Sequence, residues 1–465
     1  MRRTLNNIIL TIFYFCIKNR IYLPLMLLVL LNIKEKRSNG KSRRIFSKSS
    51  NRITILALDS DRYRGDLEVL AKNKKFRVLY MTQRPPGWLL KPFYNDNELK
   101  KYINSEKGSD EEVSHSKALN FTIDFLRYFY SFVSVDCVTT VNYRYIEDYN
   151  WAKASNVIGV PFIMLYRECL LSVDRMYDEV YLRTRDRFGK FHGEHIVVHN
   201  QITKKLFNSS GYCEAKDISV CGALRMDELL RTINNNSFEK RPKHKNRKFT
   251  LFYFPHNMSI FGKNGATTLK EKYKYHAKEW KHRDDLFTDL HNAIIELAKS
   301  NPDIEFVIKP KLEMVNKKTW DFYEDIVEKS NIDVTRLSNY KVLPEENVHK
   351  LIMESDVICA LQSSTALESA IAKKRVMFPL FYQFKDTPYL DNFSWGKHIH
   401  LFDIANNKEH FKKLFYEMMD NPDVDSHTMD ERIDLFETYF DSYDGVALDK
   451  YSDVIESVVS AKTES

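Results

Sequence analysis

The chain lacks the short motifs that identify several common enzyme classes. Its 465 residues contain no GxSxG nucleophile elbow, no Walker A loop and no GxGxxG dinucleotide fingerprint. Its fourteen histidines include no HExxH pair. These absences argue against α/β-hydrolase, P-loop, NAD-dependent and zinc-peptidase chemistry.

Paired cysteines are also missing. None of the six cysteines forms a CxxC pair or has zinc-finger spacing, and most lie in apolar, strand-like runs. Such residues are typical of reduced core positions in a cytosolic protein. The histidine and carboxylate spacings also favour no metal site, so we expect neither a metal nor another cofactor.

No apolar run is long enough to span a bilayer comfortably. Two runs, Ile8 to Ile17 and Ile21 to Leu31, are separated by Lys18, Asn19 and Arg20. Each falls short of the ~20 residues of a spanning helix, and no small-residue cleavage site follows them. Three interpretations stay open: a basic interfacial or re-entrant anchor, a transmembrane helix, or a buried soluble helical hairpin.

The positive charge of the chain is concentrated at its start. The net charge is +8, but residues 1–52 carry twelve Lys or Arg against Glu35 alone, a balance of +11, which leaves about −3 for the rest. The folded body is therefore not basic, and we expect no nucleic-acid partner. The polybasic stretch Lys34 to Lys48 favours anionic lipid and a peripheral or monotopic location at the cytoplasmic face of the inner membrane.

From Ile53 onwards, short apolar runs alternate with helical patterns, which predicts an α/β fold with parallel sheets. A polar, charged segment around Asn234 to Lys245 is the best domain boundary. The predicted organisation is a membrane-associating helical segment over 1–50, a Rossmann-like domain over 51–232, a linker over 233–248, a second Rossmann-like domain over 249–435 and a helical tail over 436–465. The segment Arg84 to Ser116 is predicted to be rich in loops.

The chain is organised around the stretch Ser355 to Leu380. The apolar run Val357 to Leu361 predicts a buried strand, followed by hydroxyl residues with N-cap chemistry, a helix, and a second strand from Arg375. In such a βαβ unit the helix N-terminus lies where open α/β sheets bind phosphates. The candidate donor-binding residues here are Ser363, Ser364, Thr365 and Glu368. The alternative is that the hydroxyls only cap the helix and Glu368 completes a capping box.

Other phosphate-binding candidates follow predicted strands. Lys309 and Lys311 come after Phe306-Val307-Ile308, and Gly222, Arg225 and Asp227 come after the strand that ends at Cys221. Cations at strand ends pair well with phosphate, and glycine permits close backbone approach. The competing interpretations are solvated loop lysines and an Asp227 that only caps the following helix.

Three residues are candidates for catalysis. Glu168 ends the strand Phe162 to Tyr166 and is the preferred general base, with Asp59 as its rival at an earlier strand end. His256 is a candidate for stabilising a departing phosphate. The alternatives are an ion pair of Glu168 with Arg167 or Arg175, a turn at Asp59-Ser60-Asp61, and a locally hydrogen-bonded histidine.

Three landmarks, in order, resemble the GT-B-fold transferases of bacterial surface polysaccharide synthesis, both the Kdo-transferase kind and the CDP-glycerol glycerophosphotransferases. They are Gly222, Arg225 and Asp227 in a Gly-x-x-Arg-x-Asp turn; Lys309-Pro310; and Ser364, Thr365 and Glu368 before a lysine-rich turn. The sequence departs from the pattern with Lys311 in place of a common histidine and Lys373-Lys374-Arg375 in place of Gly-Lys-Pro. The resemblance covers roughly Ile218 to Leu380.

The resemblance implies two Rossmann-like domains that face each other across a cleft. It also implies a metal-independent glycosyltransferase that moves a sugar from a nucleotide-activated donor to a glycan or glycolipid acceptor of capsule or lipopolysaccharide. Transfer of a polyol phosphate from a CDP-linked donor is the first alternative. A sugar-nucleotide 2-epimerase and a non-catalytic GT-B scaffold that binds polysaccharide are the others.

Overall fold

The computed structural model describes residues 11, 13–37, 41–44, 51–82, 85–94, 109–235, 247–252, 283–315, 318–361, 363–382 and 394–463. The chain divides into two units. Unit 1 comprises Met1–Cys169, Val180–Glu228 and Tyr439–Ser465, and unit 2 comprises Leu170–Glu179 and Leu229–Thr438. Each unit is built on its own mostly parallel sheet with helices between successive strands. The predicted class, α/β with two Rossmann-like domains, is confirmed.

The sheet of unit 1 has the strand order β2-β1-β4-β3-β5-β6-β7-β8. Strands β3 to β8 pair in parallel, whereas β1 is antiparallel to both β2 and β4. The strands are β1 (Ile33–Lys36), β2 (Ser42–Arg44), β3 (Ile53–Ala57), β4 (Phe76–Met81), β5 (Cys137–Thr140), β6 (Phe162–Leu165), β7 (His195–Val198) and β8 (Ile218–Val220).

The sheet of unit 2 has the order β11-β10-β9-β12-β13-β14, and all its pairings are parallel. Its strands are β9 (Arg247–Phe252), β10 (Ile304–Lys309), β11 (Tyr340–Val342), β12 (Val357–Cys359), β13 (Arg375–Pro379) and β14 (Asp403–Ala405). Strands β9, β12 and β13 are almost entirely buried. Their buried segments, 249–252, 357–359 and 376–379, are mostly apolar, as expected of strands that helices cover on both faces.

Helices occupy most of the remaining described chain. In chain order they are α1 (Tyr22–Leu31), α2 (Asp66–Leu70), α3 (Pro85–Leu90), α4 (Asp110–Phe132), α5 (Ile146–Ile158), α6 (Asp174–Arg183), α7 (Gln201–Ser209), α8 (Asp227–Asn234), α9 (Arg283–Ser300), α10 (Leu312–Val315), α11 (Lys318–Lys329), α12 (Val348–Glu354), α13 (Ser364–Ile371), α14 (Lys408–Asp420), α15 (Ser426–Phe440) and α16 (Ala447–Thr463). Asparagine caps three of them: Asn200, Asn347 and Asn407 each accept a hydrogen bond from a first-turn N–H.

Part of the polybasic stretch forms strands β1 and β2, which were not predicted. Glu35 of β1, the only acid among the first 52 residues, is buried at 3% exposure. Its carboxylate lies 3.3 Å from Arg52 and 3.4 Å from Arg77. The pairing of β1 with β4 and this buried ion cluster attach the start of the chain to the core of unit 1.

Candidate functional site

The strand order locates a ligand-binding position in unit 2. From β9 the chain proceeds through β10 to β11 on one side, and then continues from β12 to β14 on the other side. The order therefore reverses between β9 and β12. In open α/β sheets, ligands bind outside the carboxyl ends of the strands at such a switch point. The candidate donor-binding residues that follow β12 therefore lie at the switch point, and Lys309, at the end of β10, lies one strand away from it.

Helix α13 begins directly after β12, at this switch point. Ser363 is its N-cap: the hydroxyl accepts a hydrogen bond from the Thr365 N–H at 3.2 Å and donates to the Thr365 hydroxyl at 3.0 Å. The Trp395 indole N–H donates to the Ser363 carbonyl at 3.0 Å and holds the turn in place. Ser363, Ser364 and Thr365 are all partly exposed. The cap leaves the start of the helix accessible, where its dipole favours an anion.

Lys309 ends β10, the neighbour of β9. Its ammonium donates to the Pro310 and Pro344 carbonyls, both at 2.9 Å. Burial lowers the pKa of Lys309, and nearby Glu346 partly offsets this. The two carbonyls use two of the three ammonium donors and fix their direction. Lys311 lies two residues further on and is exposed.

Glu368 is buried inside unit 2. Because Ser363 is the N-cap, Glu368 is the fifth residue of α13, two positions beyond the one that a capping box requires. Its carboxylate lies 3.2 Å from His349 Nε2 on α12, and its side chain is 4% exposed. Glu368 therefore joins α12 to α13.

Gly222 and Asp227 lie in unit 1 and contact the end of the chain. Gly222 has φ +76°, and a Cβ there would lie 2.8 Å from the Phe440 carbonyl oxygen. The carboxylate of Asp227 accepts hydrogen bonds from the Ala447 N–H at 3.0 Å and the Leu448 N–H at 2.8 Å. Asp227 thus caps helix α16. In this structure, both residues dock the C-terminal segment.

Arg225 lies near a buried group of charges in unit 1. Arg167 pairs with Asp66 at 2.8 Å and donates to the Arg62 carbonyl at 2.7 Å. Burial raises the pKa of Asp66, while Arg167 and Arg225 lower it. Burial, together with Arg225 and Arg167, holds the pKa of His199 well below its usual range. Arg225 therefore lies among charges of both signs, which include Arg167, Asp66 and Glu168.

Glu168 follows β6 and is exposed. Arg167 pairs with Asp66 at 2.8 Å and Arg175 lies 3.8 Å from Glu179, while the charge of Glu168 also acts on Arg167. The carboxylate is thus accessible at the carboxyl end of a central strand, as a general base for an exogenous hydroxyl must be.

Asp59 lies at the switch point of unit 1, between β3 and β5, and is buried. It accepts a hydrogen bond from the Asp61 N–H and lies 2.9 Å from Arg62. Arg62 also lies 3.2 Å from Glu147 and 3.3 Å from Asp148. Burial raises the pKa of Asp148 to about 7, with Arg62 opposing the rise. Asp59 therefore serves an internal ion network and the turn Asp59-Ser60-Asp61.

His256 lies outside the described residues. Within the described ranges, no group of three or more His, Cys, Asp or Glu side chains is arranged to hold a metal ion.

Sequence patterns did not reveal His349, Arg62 or Asp66. Each of them acts through a partner that is distant in sequence or on another element, such as Glu368 for His349 and Arg167 for Asp66. No local spacing marks such a pair. Position alone indicated Arg62, because this residue follows the predicted strand end that also carries Asp59.

Comparison with known proteins adds a set of distant structural neighbours. No protein-family model and no curated protein sequence matches the chain. UDP-GlcNAc 2-epimerase from Neisseria meningitidis bound to UDP-GlcNAc aligns at 12% identity, covering 87% of this chain and 99% of that chain, with a TM-score of 0.47. The wall teichoic acid polymerase TagF aligns at 13% identity, covering 89% and 91%, with a TM-score of 0.47. MurG from Acinetobacter baumannii aligns at 14% identity, covering 88% and 100%, with a TM-score of 0.39.

Proposed function

We propose that the chain is a metal-independent transferase that uses a nucleotide-activated sugar as donor and a glycan or glycolipid of a capsule or lipopolysaccharide as acceptor. One observation carries the proposal. At the switch point of unit 2, the strand that precedes helix α13 and the strand that ends in Lys309 flank β9 on either side. A helix N-terminus and a fixed ammonium at one sheet edge suit a diphosphate.

The helix dipole and Lys309 stabilise the charge that develops on the leaving nucleoside diphosphate, which is the work that a metal performs in other transferases. Ser364, through its hydroxyl and N–H, and Thr365, through its hydroxyl, supply donors to the same oxygens, while Ser363 caps the helix and holds Thr365 in place. Glu368 is proposed as a positioning residue, since its carboxylate lies 3.2 Å from His349 and so ties α13 to α12.

Glu168 is the proposed base. An exposed carboxylate at the end of β6 accepts the proton of the acceptor hydroxyl as the hydroxyl oxygen attacks the anomeric carbon. The bond from that carbon to the donor phosphate breaks, and the nucleoside diphosphate leaves with both electrons of the bond. Arg225, which lies near Arg167 and Asp66, is proposed to bind a phosphate oxygen.

The test measures nucleotide binding and transfer separately. Thermal shifts with CMP, CDP, UDP and GDP identify the nucleotide, because a ligand of the folded state raises the melting temperature. A CDP response would favour transfer of a polyol phosphate, which a phosphodiester-linked product would establish.

Two variants test the roles of Lys309 and Glu168 separately. Lys309→Met keeps the aliphatic stem and is expected to weaken nucleotide affinity about 10- to 100-fold, the usual size of a charge-assisted hydrogen bond. Lys341→Met is the matched control, because Lys341 lies on the neighbouring β11 and pairs with Glu305 at 3.3 Å. Glu168→Gln is expected to leave nucleotide affinity unchanged and to slow transfer about 10²- to 10⁴-fold. If Lys309→Met binds nucleotide as tightly as wild type, the assignment of Lys309 to the donor site is refuted.

A further inference from the structure

The first helices of the chain expose an unusual amount of apolar surface. Helix α1 is apolar throughout, with the sequence YLPLMLLVLL. Leu23, Leu27 and Leu31 recur every fourth residue, so they share one face, and they are 50%, 51% and 66% exposed. In a helix at an ordinary protein surface, this face is polar. Phe15, in the helical segment 13–18 that precedes α1, is 61% exposed.

The opposite face of α1 belongs to the core of unit 1. Leu25, Met26 and Val29 are at most 2% exposed and join a cluster with Phe121 and Phe125 of α4. Arg20, just before α1, lies 3.3 Å from Asp124 of α4. The helix is therefore fixed to the domain on one side and presents leucines on the other, which combines features of the interfacial and buried-hairpin interpretations.

The exposed leucines have basic residues at both ends of the helix. Lys18 precedes α1 and Lys34 follows it, and both are exposed. Residues 1–52 carry a net charge of +11 in total. An apolar stripe bordered by cations complements the apolar interior and anionic head groups of a lipid leaflet, whereas a neutral protein groove would gain nothing from the charge. Within the described residues, no helix is long and apolar enough to cross a bilayer.

We propose that this surface, the leucine face of α1 together with Phe15, Lys18 and Lys34, docks unit 1 onto an anionic bilayer without spanning it. The leucines enter the interface and the lysines contact acidic head groups. Because α1 is part of the domain core, the docking face is rigidly attached to unit 1, unlike a flexible tether. This inference is independent of the proposed reaction, since lipid binding needs no nucleotide.

Deletion of the first residues is a poor test of this idea. Phe13, Cys16 and Ile17 are buried, and β1 pairs with β4, so removing the segment would open the core of unit 1. Surface substitutions avoid the problem. The informative variant is Leu27→Gln/Leu31→Gln. Its matched control is Val113→Gln/Val157→Gln, which alters two valines of unit 1 that are 48% and 58% exposed.

The experiment is flotation of the full chain with vesicles of phosphatidylcholine, alone or mixed with phosphatidylglycerol. Wild type and the valine control are expected to float with the mixed vesicles, and the leucine variant is expected to bind at least about tenfold more weakly. Lys18→Gln/Lys34→Gln is expected to lose roughly fivefold per lysine, and added salt should have the same effect.

Size-exclusion chromatography of the same proteins identifies other occupants of the face. If the leucine variant floats like wild type, the proposal is wrong. If it floats like wild type and a wild-type oligomer also becomes monomeric in the variant, the face binds a second copy of the chain. Equal flotation of wild type with both kinds of vesicle would overturn the choice of an anionic surface.

Discussion

Replacing Asp227 with alanine is expected to lower the free energy of unfolding of unit 1 by roughly 3 kcal/mol. The carboxylate is 2% exposed and accepts two backbone hydrogen bonds, at 3.0 Å from Ala447 and 2.8 Å from Leu448. A hydrogen bond to a charged group contributes about 1.5–3 kcal/mol. The estimate counts one of the two hydrogen bonds at the top of this range, because water that enters the vacated space replaces part of the other.

The assay is urea unfolding followed by circular dichroism, together with hydrogen exchange of the amides in α16. Those amides are expected to lose protection first, because the start of that helix loses its cap. Asp227→Asn should fall between wild type and alanine, since its one amide oxygen replaces only one of the two acceptors. Glu228→Ala is the matched control: its side chain is 74% exposed and pairs with Lys72 at the surface, so we expect a change below about 0.5 kcal/mol.

The resemblance to surface-polysaccharide transferases would place Asp227 among the donor-binding residues, and the same variants decide between the two roles. If Asp227→Ala unfolds like wild type while its nucleotide affinity falls, the docking role inferred from the two hydrogen bonds is refuted. A large loss of stability with unchanged affinity at a temperature where the variant is folded would support it.

Two further perturbations test the described contacts. Gly222→Ala is expected to cost about 1–2 kcal/mol more than Gly211→Ala in urea unfolding, because both glycines have positive φ but only the Cβ at Gly222 would meet a neighbour, at 2.8 Å; equal costs would contradict this. The pKa of Asp148, raised by burial to about 7, means that the native state holds a proton that the unfolded state releases above about pH 4. Stability should therefore fall as the pH rises through that window, by at most about 1.4 kcal/mol per unit, and Asp148→Asn should flatten the slope measured by urea unfolding at each pH. An unchanged slope in Asp148→Asn would contradict this.

The sequence predicted most of the sheet architecture. The buried strand predicted over Val357 to Leu361 is β12 (Val357–Cys359), and the strand predicted over Phe162 to Tyr166 is β6 (Phe162–Leu165). These elements have continuous apolar runs. The strands β11 and β14, of three residues each, were missed because each contains a charged residue and no apolar run, unlike the equally short β12. Strands β1 and β2, at one edge of the sheet of unit 1, were missed because their many basic residues hide any strand-like apolar pattern.

The residues of the candidate site were also recognisable from the sequence only in part. The sequence was enough to identify the hydroxyl residues Ser363 to Thr365 and the strand-end residue Lys309. N-cap residues and strand ends are recognisable from their neighbours in the chain. The partners of these groups were not recognisable. Glu368 faces His349 across two helices, and the two carbonyls that hold Lys309 come from Pro310 and from Pro344 after the next strand.

The sequence by itself determined the alternation of strands and helices, the concentration of positive charge in the first 52 residues, and the positions where polar groups follow strands. Only the tertiary structure decided what those groups contact. It brought Asp227 to a helix that begins 220 residues later in the chain and buried Glu35 beside Arg77. It also turned one face of α1 into the core and left the other exposed. Secondary structure follows from neighbours in the chain, whereas the partner of a charge depends on which distant segments packing brings together.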